Sequence, residues 1–235
     1  MTAELKASRN DATLILTFAN PGRRNAVDSN VLAAAIETLS KAERDDSVRA
    51  LVLTGAERDF CGGIEAGKDL STQIAALETL QNLIETLRSF PKPVIAAIEG
   101  IALDAGFSLA LGCDLIVAGQ NAAFGISPSQ VGTWAVGGAG WFLPKSLPPQ
   151  WVAEILLDAA PLPAARLHGA GIVNRLTPDG TALDKALAWG EQLAATPPAA
   201  FEQFKTLLAS ASASTLTEYF SLERHALLTR RPGAI

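Results

Sequence analysis

The sequence is poor in the residues from which metal sites and disulfide scaffolds are built. It has two cysteines, Cys61 and Cys113, and two histidines, His168 and His225, in 235 residues. Two distant cysteines argue against a disulfide framework and suit a reducing cytosol, so a cytoplasmic location is expected. With so few soft or imidazole ligands, no metal site of standard spacing can be assembled, and no metal is expected. There is no long basic run and the formal net charge is -5, which argues against a nucleic-acid partner. No apolar run reaches membrane-spanning length, and Met1-Thr2-Ala3-Glu4-Leu5-Lys6 lacks the apolar core of a secretory signal. No membrane partner is therefore expected.

Three sequence motifs are missing as well. No glycine turn shows G-x-G-x-x-G directly after a strand, no Gly-Lys-Ser/Thr marks a phosphate loop, and no G-x-S-x-G marks a hydrolase elbow. His225 lies in the charged run Glu223-Arg224-His225, a poor setting for a general base.

What is present is an ample apolar fraction, 49%, enough for one large domain or one domain with a small appendage. The chain is organised around Pro91–Asp114. Val94-Ile95-Ala96-Ala97-Ile98, bounded by Pro93 and Gly100, reads as a strand buried on both faces. Asp104-Ala105-Gly106 then reads as a helix start with Asp104 as N-cap, and Leu115-Ile116-Val117-Ala118 as a second buried strand. Further strands are expected at 12–18 and 48–55, and helices from about Asp28 and through Leu77, Leu80, Ile84 and Leu87. Helices are expected at 150–158, 180–195 and 198–210, with one short strand at Gly171-Ile172-Val173. The expected class is α/β, with residues 1–145 as a core and 146–235 as a mostly helical region. Strand, glycine turn and buried helix N-terminus point free N–H groups into one place, which favours a developing negative charge.

Several motifs resemble, in matching order, the crotonase (enoyl-CoA hydratase/isomerase) superfamily. They are Asn20-Pro21 with Asn25-Ala26, Phe60-Cys61-Gly62-Gly63-Ile64-Glu65, Pro93 to Gly100, Cys113-Asp114-Leu115-Ile116, and Phe124-Gly125. The resemblance covers about residues 5 to 225. It implies a ClpP-like spiral of ββα units with a helical C-terminal region that mediates homo-trimers, often paired into hexamers. It also implies an acyl-CoA substrate, with CoA as part of that substrate and no permanently bound cofactor. Two backbone N–H groups would hold the thioester oxygen as it becomes an enolate, and they fall at Ile64 and Ala105. Arg23 and Arg24 would lie in the loop that passes the CoA phosphates. Gly62, Gly63, Ser108, Ser127, Pro128 and Trp134 would border the substrate.

This sequence departs from the family at the residues that move protons. Ser108 and Pro128 stand where hydratases of this family carry glutamates, so simple hydration of an enoyl-CoA is not the expected reaction. Asp104 and Glu65 adjoin the two donors as candidate acid or base. The bland readings are a helix cap for Asp104 and a solvated first-turn residue for Glu65. The run Asp-Ala-Gly-Phe-Ser-Leu-Ala-Leu is most similar to the alternative-type oxepin-CoA hydrolase branch. A CoA-thioester-binding paralogue with little catalysis is the other reading. The chain also stops soon after Arg231, where family members usually carry one more helix.

Overall fold

The computed structural model describes residues 3–128 and 137–228. In chain order the first half contains β1 (Glu4–Asn10), β2 (Thr13–Ala19), α1 (Ser29–Glu43), β3 (Ala50–Gly55), α2 (Leu70–Ser89), β4 (Val94–Ile98), β5 (Ile101–Leu103), α3 (Ala105–Gly112), β6 (Leu115–Gly119) and β7 (Ala123–Gly125). The second half adds α4 (Ala139–Phe142), α5 (Pro149–Leu157), β8 (Leu162–Pro163), α6 (Ala164–Gly169), β9 (Arg175–Thr177), α7 (Ala182–Ala194), α8 (Pro198–Ala211) and α9 (Leu216–Leu228).

One sheet has the order β1-β2-β3-β4-β6-β9, antiparallel between β1 and β2 and parallel from β2 onward. Its central strands β3, β4 and β6 are apolar but for Thr54, because both faces are covered. In β3 and β4 the residues alternate between two layers. Leu51, Leu53, Val94, Ala96 and Ile98 join the main core beneath α1, α2 and α3. Val52, Ile95 and Ala97 pack on the opposite side with Ala182 and Ala186 of α7.

A smaller sheet, β5-β7-β8, is extended by the single bridges Cys61↔Ala102 and Val27↔Ile64. Each pass of the chain thus lays a long strand in the large sheet, a short strand or bridge in the small one, and then a helix. This is the expected spiral of ββα units. Gly100, at φ 54°, carries the chain between sheets, and a Cβ there would overlap the Arg58 carbonyl. Two of the helices start at a capping aspartate. Asp28 accepts from Val31 N–H ahead of α1, and Asp69 from Thr72 N–H ahead of α2.

The C-terminal part differs from the sequence reading in its strand and in two helices, α6 and α9, that the sequence reading did not include. The short strand is β9, not Gly171-Ile172-Val173. The amides of Ile172 and Val173 instead close the end of α6, both donating to the Leu167 carbonyl. A further helix, α9, follows α8. Neither helix has a buried residue, and Phe204, Leu208, Leu216, Phe220, Leu227 and Leu228 stand exposed on them. No helix among the described residues is long and apolar enough to cross a membrane.

Candidate functional site

Two turns at the edge of the small sheet define the site. In the first, Val27 N–H donates to the Gly63 carbonyl at 3.0 Å, and Glu65 N–H donates to the Val27 carbonyl at 2.7 Å. In a parallel bridge of this pattern the residue between the bonded pair turns its own N–H and C=O away. Ile64 N–H therefore points away from Val27. On the opposite edge, Cys61 N–H donates to the Ile101 carbonyl at 3.1 Å, and Leu103 N–H donates to the Cys61 carbonyl at 2.9 Å. The segment thus changes its bonding edge between Cys61 and Gly63, and Gly63, at φ 130°, supplies the conformation required. Ile64 N–H faces the side on which β5 leads into α3.

The second turn is the entry to α3. The first bond of the helix runs from Ser108 N–H to the Asp104 carbonyl at 3.1 Å. The N–H groups ahead of it belong to Ala105, Gly106 and Phe107, and no side chain caps them. Among the described residues, neither Ile64 N–H nor Ala105 N–H has a hydrogen-bond acceptor. The two turns touch. A Cβ on Gly106 would overlap the Cys61 carbonyl, and one on Gly63 would sit 3.4 Å from Asp104 Oδ2. Two uncommitted backbone donors, one of them at the positive end of a helix dipole, make this region suited to a developing anion.

The side chains around the turns differ in what they contact. Asp104 occupies the N-cap position but does not cap, which corrects the sequence expectation. Its backbone is at φ 51°, ψ -115°. Its Oδ1 accepts from Ser127 N–H and its Oδ2 from the Ser127 hydroxyl, each at 2.7 Å. The carboxylate is drawn off the helix because the segment after β7 offers it two donors. Glu65 is exposed at the rim, with Oε1 3.5 Å from Nε of Arg23, itself exposed. The Arg24 carbonyl accepts from Gly62 N–H at 2.7 Å. Ser108 is fully buried on α3, and Pro128 is exposed. Trp134 lies outside the described residues. Burial pushes the Cys61 thiol up to about 12, with the Asp104 charge adding to it, so Cys61 is an inert part of the wall.

The sequence reading quoted Asn25 only as part of a motif, yet it fixes the loop that carries the two arginines. Asn25 is buried, accepts from Asn20 N–H at 3.0 Å and donates to the carbonyls of Ala56 and Asp59, each at 2.6 Å. Its own φ of 56° is the left-handed conformation that asparagine tolerates better than most residues. Asn25→Ala leaves two half-buried carbonyls without their donor and is expected to lower stability by about 2 kcal/mol. A denaturant titration measures that loss, and an unchanged midpoint would refute it.

A groove of about 940 Å³ opens between α2, α4 and α8, lined by Ile84, Arg88, Trp141, Phe142 and Lys205 among others. None of the expected site residues among those described lines it. It is linked to the donors through α3, whose far end at Gly112 abuts Ile84.

A family model described as enoyl-CoA hydratase/isomerase matches residues 8–230. Among curated proteins, 2,3-dehydroadipyl-CoA hydratase of Escherichia coli (strain K12) is 32% identical, covering 94% of this chain and 88% of its own length. The 1,2-epoxyphenylacetyl-CoA isomerase of the same strain is 33% identical over 90% of this chain and 84% of its own. Among solved structures, an enoyl-CoA hydratase from Polaromonas sp. JS666 superposes with a TM-score of 0.91 at 40% identity, over 95% of this chain and 90% of that one.

Proposed function

Given that this chain belongs to the enoyl-CoA hydratase/isomerase family, we propose that it binds an acyl-CoA thioester with the carbonyl oxygen held by the N–H groups of Ile64 and Ala105. As the α-carbon is deprotonated or attacked, charge moves onto that oxygen. Preorganised donors then gain strength in the transition state without reorganising. The observation that carries this reading is that both N–H groups lack an acceptor among the described residues while their turns are in contact. Removing one such donor raises the barrier by about 3 kcal/mol in other acyl-transfer enzymes. Gly62 and Gly63 let the first turn approach the thioester closely, and Arg23 and Arg24, exposed on the adjoining loop, fit the phosphates of CoA. Ser108, Ser127 and Pro128 border the acyl group. No permanent cofactor is called for, since the activating group is CoA itself.

The reaction class is a non-hydratase one. Ser108 and Pro128 bring no carboxylate to the acyl carbons, and a serine hydroxyl alone is a weak base. A ring-opening hydrolase acting on an oxepin-CoA-type thioester fits the sequence likeness to that branch, with Glu65, beside the Ile64 donor, as the candidate acid or base for its water. The same two residues favour the second reading, a thioester-binding paralogue with little turnover. Assays with crotonyl-CoA and ring-type CoA thioesters, alongside calorimetric titration of the same ligands, separate them. Turnover of a ring-type thioester with slow crotonyl-CoA hydration is expected. Fast crotonyl-CoA hydration would overturn the reaction class, and binding without turnover across the panel would favour the paralogue.

Residues 146–235 serve in this reading as the region through which copies associate into a cytoplasmic trimer or hexamer. The uncovered apolar side chains of α8 and α9, such as Phe204, Leu208 and Leu227, support it. Sedimentation velocity of the purified chain tests it, and a monomer at micromolar concentration would refute it.

A further inference from the structure

Among the described residues three helices begin after an aspartate, and one behaves unlike the other two. Asp28 (φ -118°, ψ 175°) and Asp69 (φ -85°, ψ 151°) sit in extended backbone and accept from the N–H three residues on. Asp104 sits at φ 51°, ψ -115°, a region that favours glycine, and makes no such bond. The equivalent partner would be Phe107 N–H, in the uncapped first turn of α3. Instead both carboxylate oxygens are held by Ser127, and Asp104 N–H is held by the Gly125 carbonyl at 2.9 Å. Asp104 is 7% exposed, so its carboxylate is not dispersed into solvent.

An aspartate bonded over the start of α3 would place a negative charge at the helix end where a thioester enolate has to form. Like charges there oppose each other, and the cap bond would also occupy donors of the same turn. We propose that Ser127 is a positioning residue: by engaging Asp104 it keeps that carboxylate off the first turn of α3 and leaves Ala105 N–H open to the substrate. The inference rests on the oxyanion reading given above and adds to it the means by which an acidic residue is tolerated beside the donors. The left-handed backbone at Asp104 is part of the device, since it aims the side chain toward Ser127 rather than along the helix.

The test uses cinnamoyl-CoA, whose absorbance moves to longer wavelength when its thioester carbonyl is polarised. Calorimetry reports binding separately. Ser127→Ala removes one of the two bonds and is expected to lower the red shift by about half and turnover of a productive thioester by about tenfold, with the melting temperature unchanged or raised. Asp104→Gly, which suits the positive φ, is expected to keep the full shift. The double variant Ser127→Ala with Asp104→Gly is expected to recover it. A full shift in Ser127→Ala, a lost shift in Asp104→Gly, or a double variant no better than Ser127→Ala would each overturn the proposal. If the parent protein binds the probe without any red shift, the oxyanion reading itself fails and this inference falls with it.

Discussion

Gly106→Ala is expected to lower kcat/KM on a productive thioester by about a hundredfold, because a displacement of about 1 Å at a reacting centre has that effect. The added Cβ would overlap the Cys61 carbonyl and lie 2.8 Å from Cys61 Cβ. These atoms belong to the wall of the first turn, and they are anchored on β5 through Cys61 and Leu103. Neither side can yield without moving, so α3 and the Cys61–Ile64 segment must separate. Separation parts the two donors proposed to meet on one oxygen. Overpacking of this kind also lowers stability by about 1 to 3 kcal/mol, so turnover should be compared at a temperature where the variant is fully folded. Gly140→Ala is the control. That glycine lies in α4 with nothing within 4 Å of an added Cβ, and alanine there should be neutral or raise stability by up to about 1 kcal/mol. A Gly106→Ala protein with parental kcat/KM would mean that the spacing of the turns does not govern the chemistry.

The parts of the molecule readable from sequence are those where one physical demand acts alone. Val94–Ile98 reads as a strand because both of its faces are buried, so every position has to be apolar. Asp28 reads as a helix start because capping is a local hydrogen bond. β1 is not readable for the opposite reason. It is an edge strand paired on one side to β2, and nearly all its residues are exposed, so polar residues serve it as well as apolar ones. α9 buries no residue and leaves correspondingly little periodic signal. At the candidate site the limit is chemical. Ile64 and Ala105 are proposed to act through backbone N–H groups that nearly every residue type possesses, so their side chains carry no mark of the role. Only the neighbouring glycines, which the close approach of two turns requires, point to them. Asp104 is the instructive case. Its position before a helix predicts a cap, but the competing donors come from Ser127, twenty-three residues further on, and no local rule includes them.

Lys205→Met is expected to lower stability by about 3 kcal/mol, the low end for breaking a buried ion pair, or roughly 10 °C in melting temperature for a chain of this size. Lys205 Nζ lies 2.9 Å from Asp114 Oδ1 and also donates to the Leu87 carbonyl at 3.2 Å, at the end of α2. Asp114 in turn accepts from Val94 N–H at 2.8 Å at the start of β4. The pair therefore ties α8, a helix without a buried residue, to the centre of the spiral. The side chains are 11% and 20% exposed, so removing the ammonium strands a carboxylate that water cannot fully solvate. The pH dependence follows from that. Burial already pushes the Asp114 carboxyl above its usual value, and Lys205 opposes the shift. Without Lys205 the shift grows. A carboxyl with a raised value in the folded state binds its proton more tightly there than when unfolded. Its contribution to stability is therefore fully present below the ordinary carboxylate range and is lost as pH rises through the folded value. The deficit of Lys205→Met should accordingly be largest at neutral pH and shrink on acidification. Adding Asp114→Asn, which keeps an acceptor for Val94 N–H but carries no charge, should recover most of the loss at neutral pH. Melting curves of the two variants between acid and neutral pH decide the matter. A deficit that is independent of pH, or one that Asp114→Asn deepens, would show that Lys205 holds α8 by packing and its bond to Leu87 rather than by its charge.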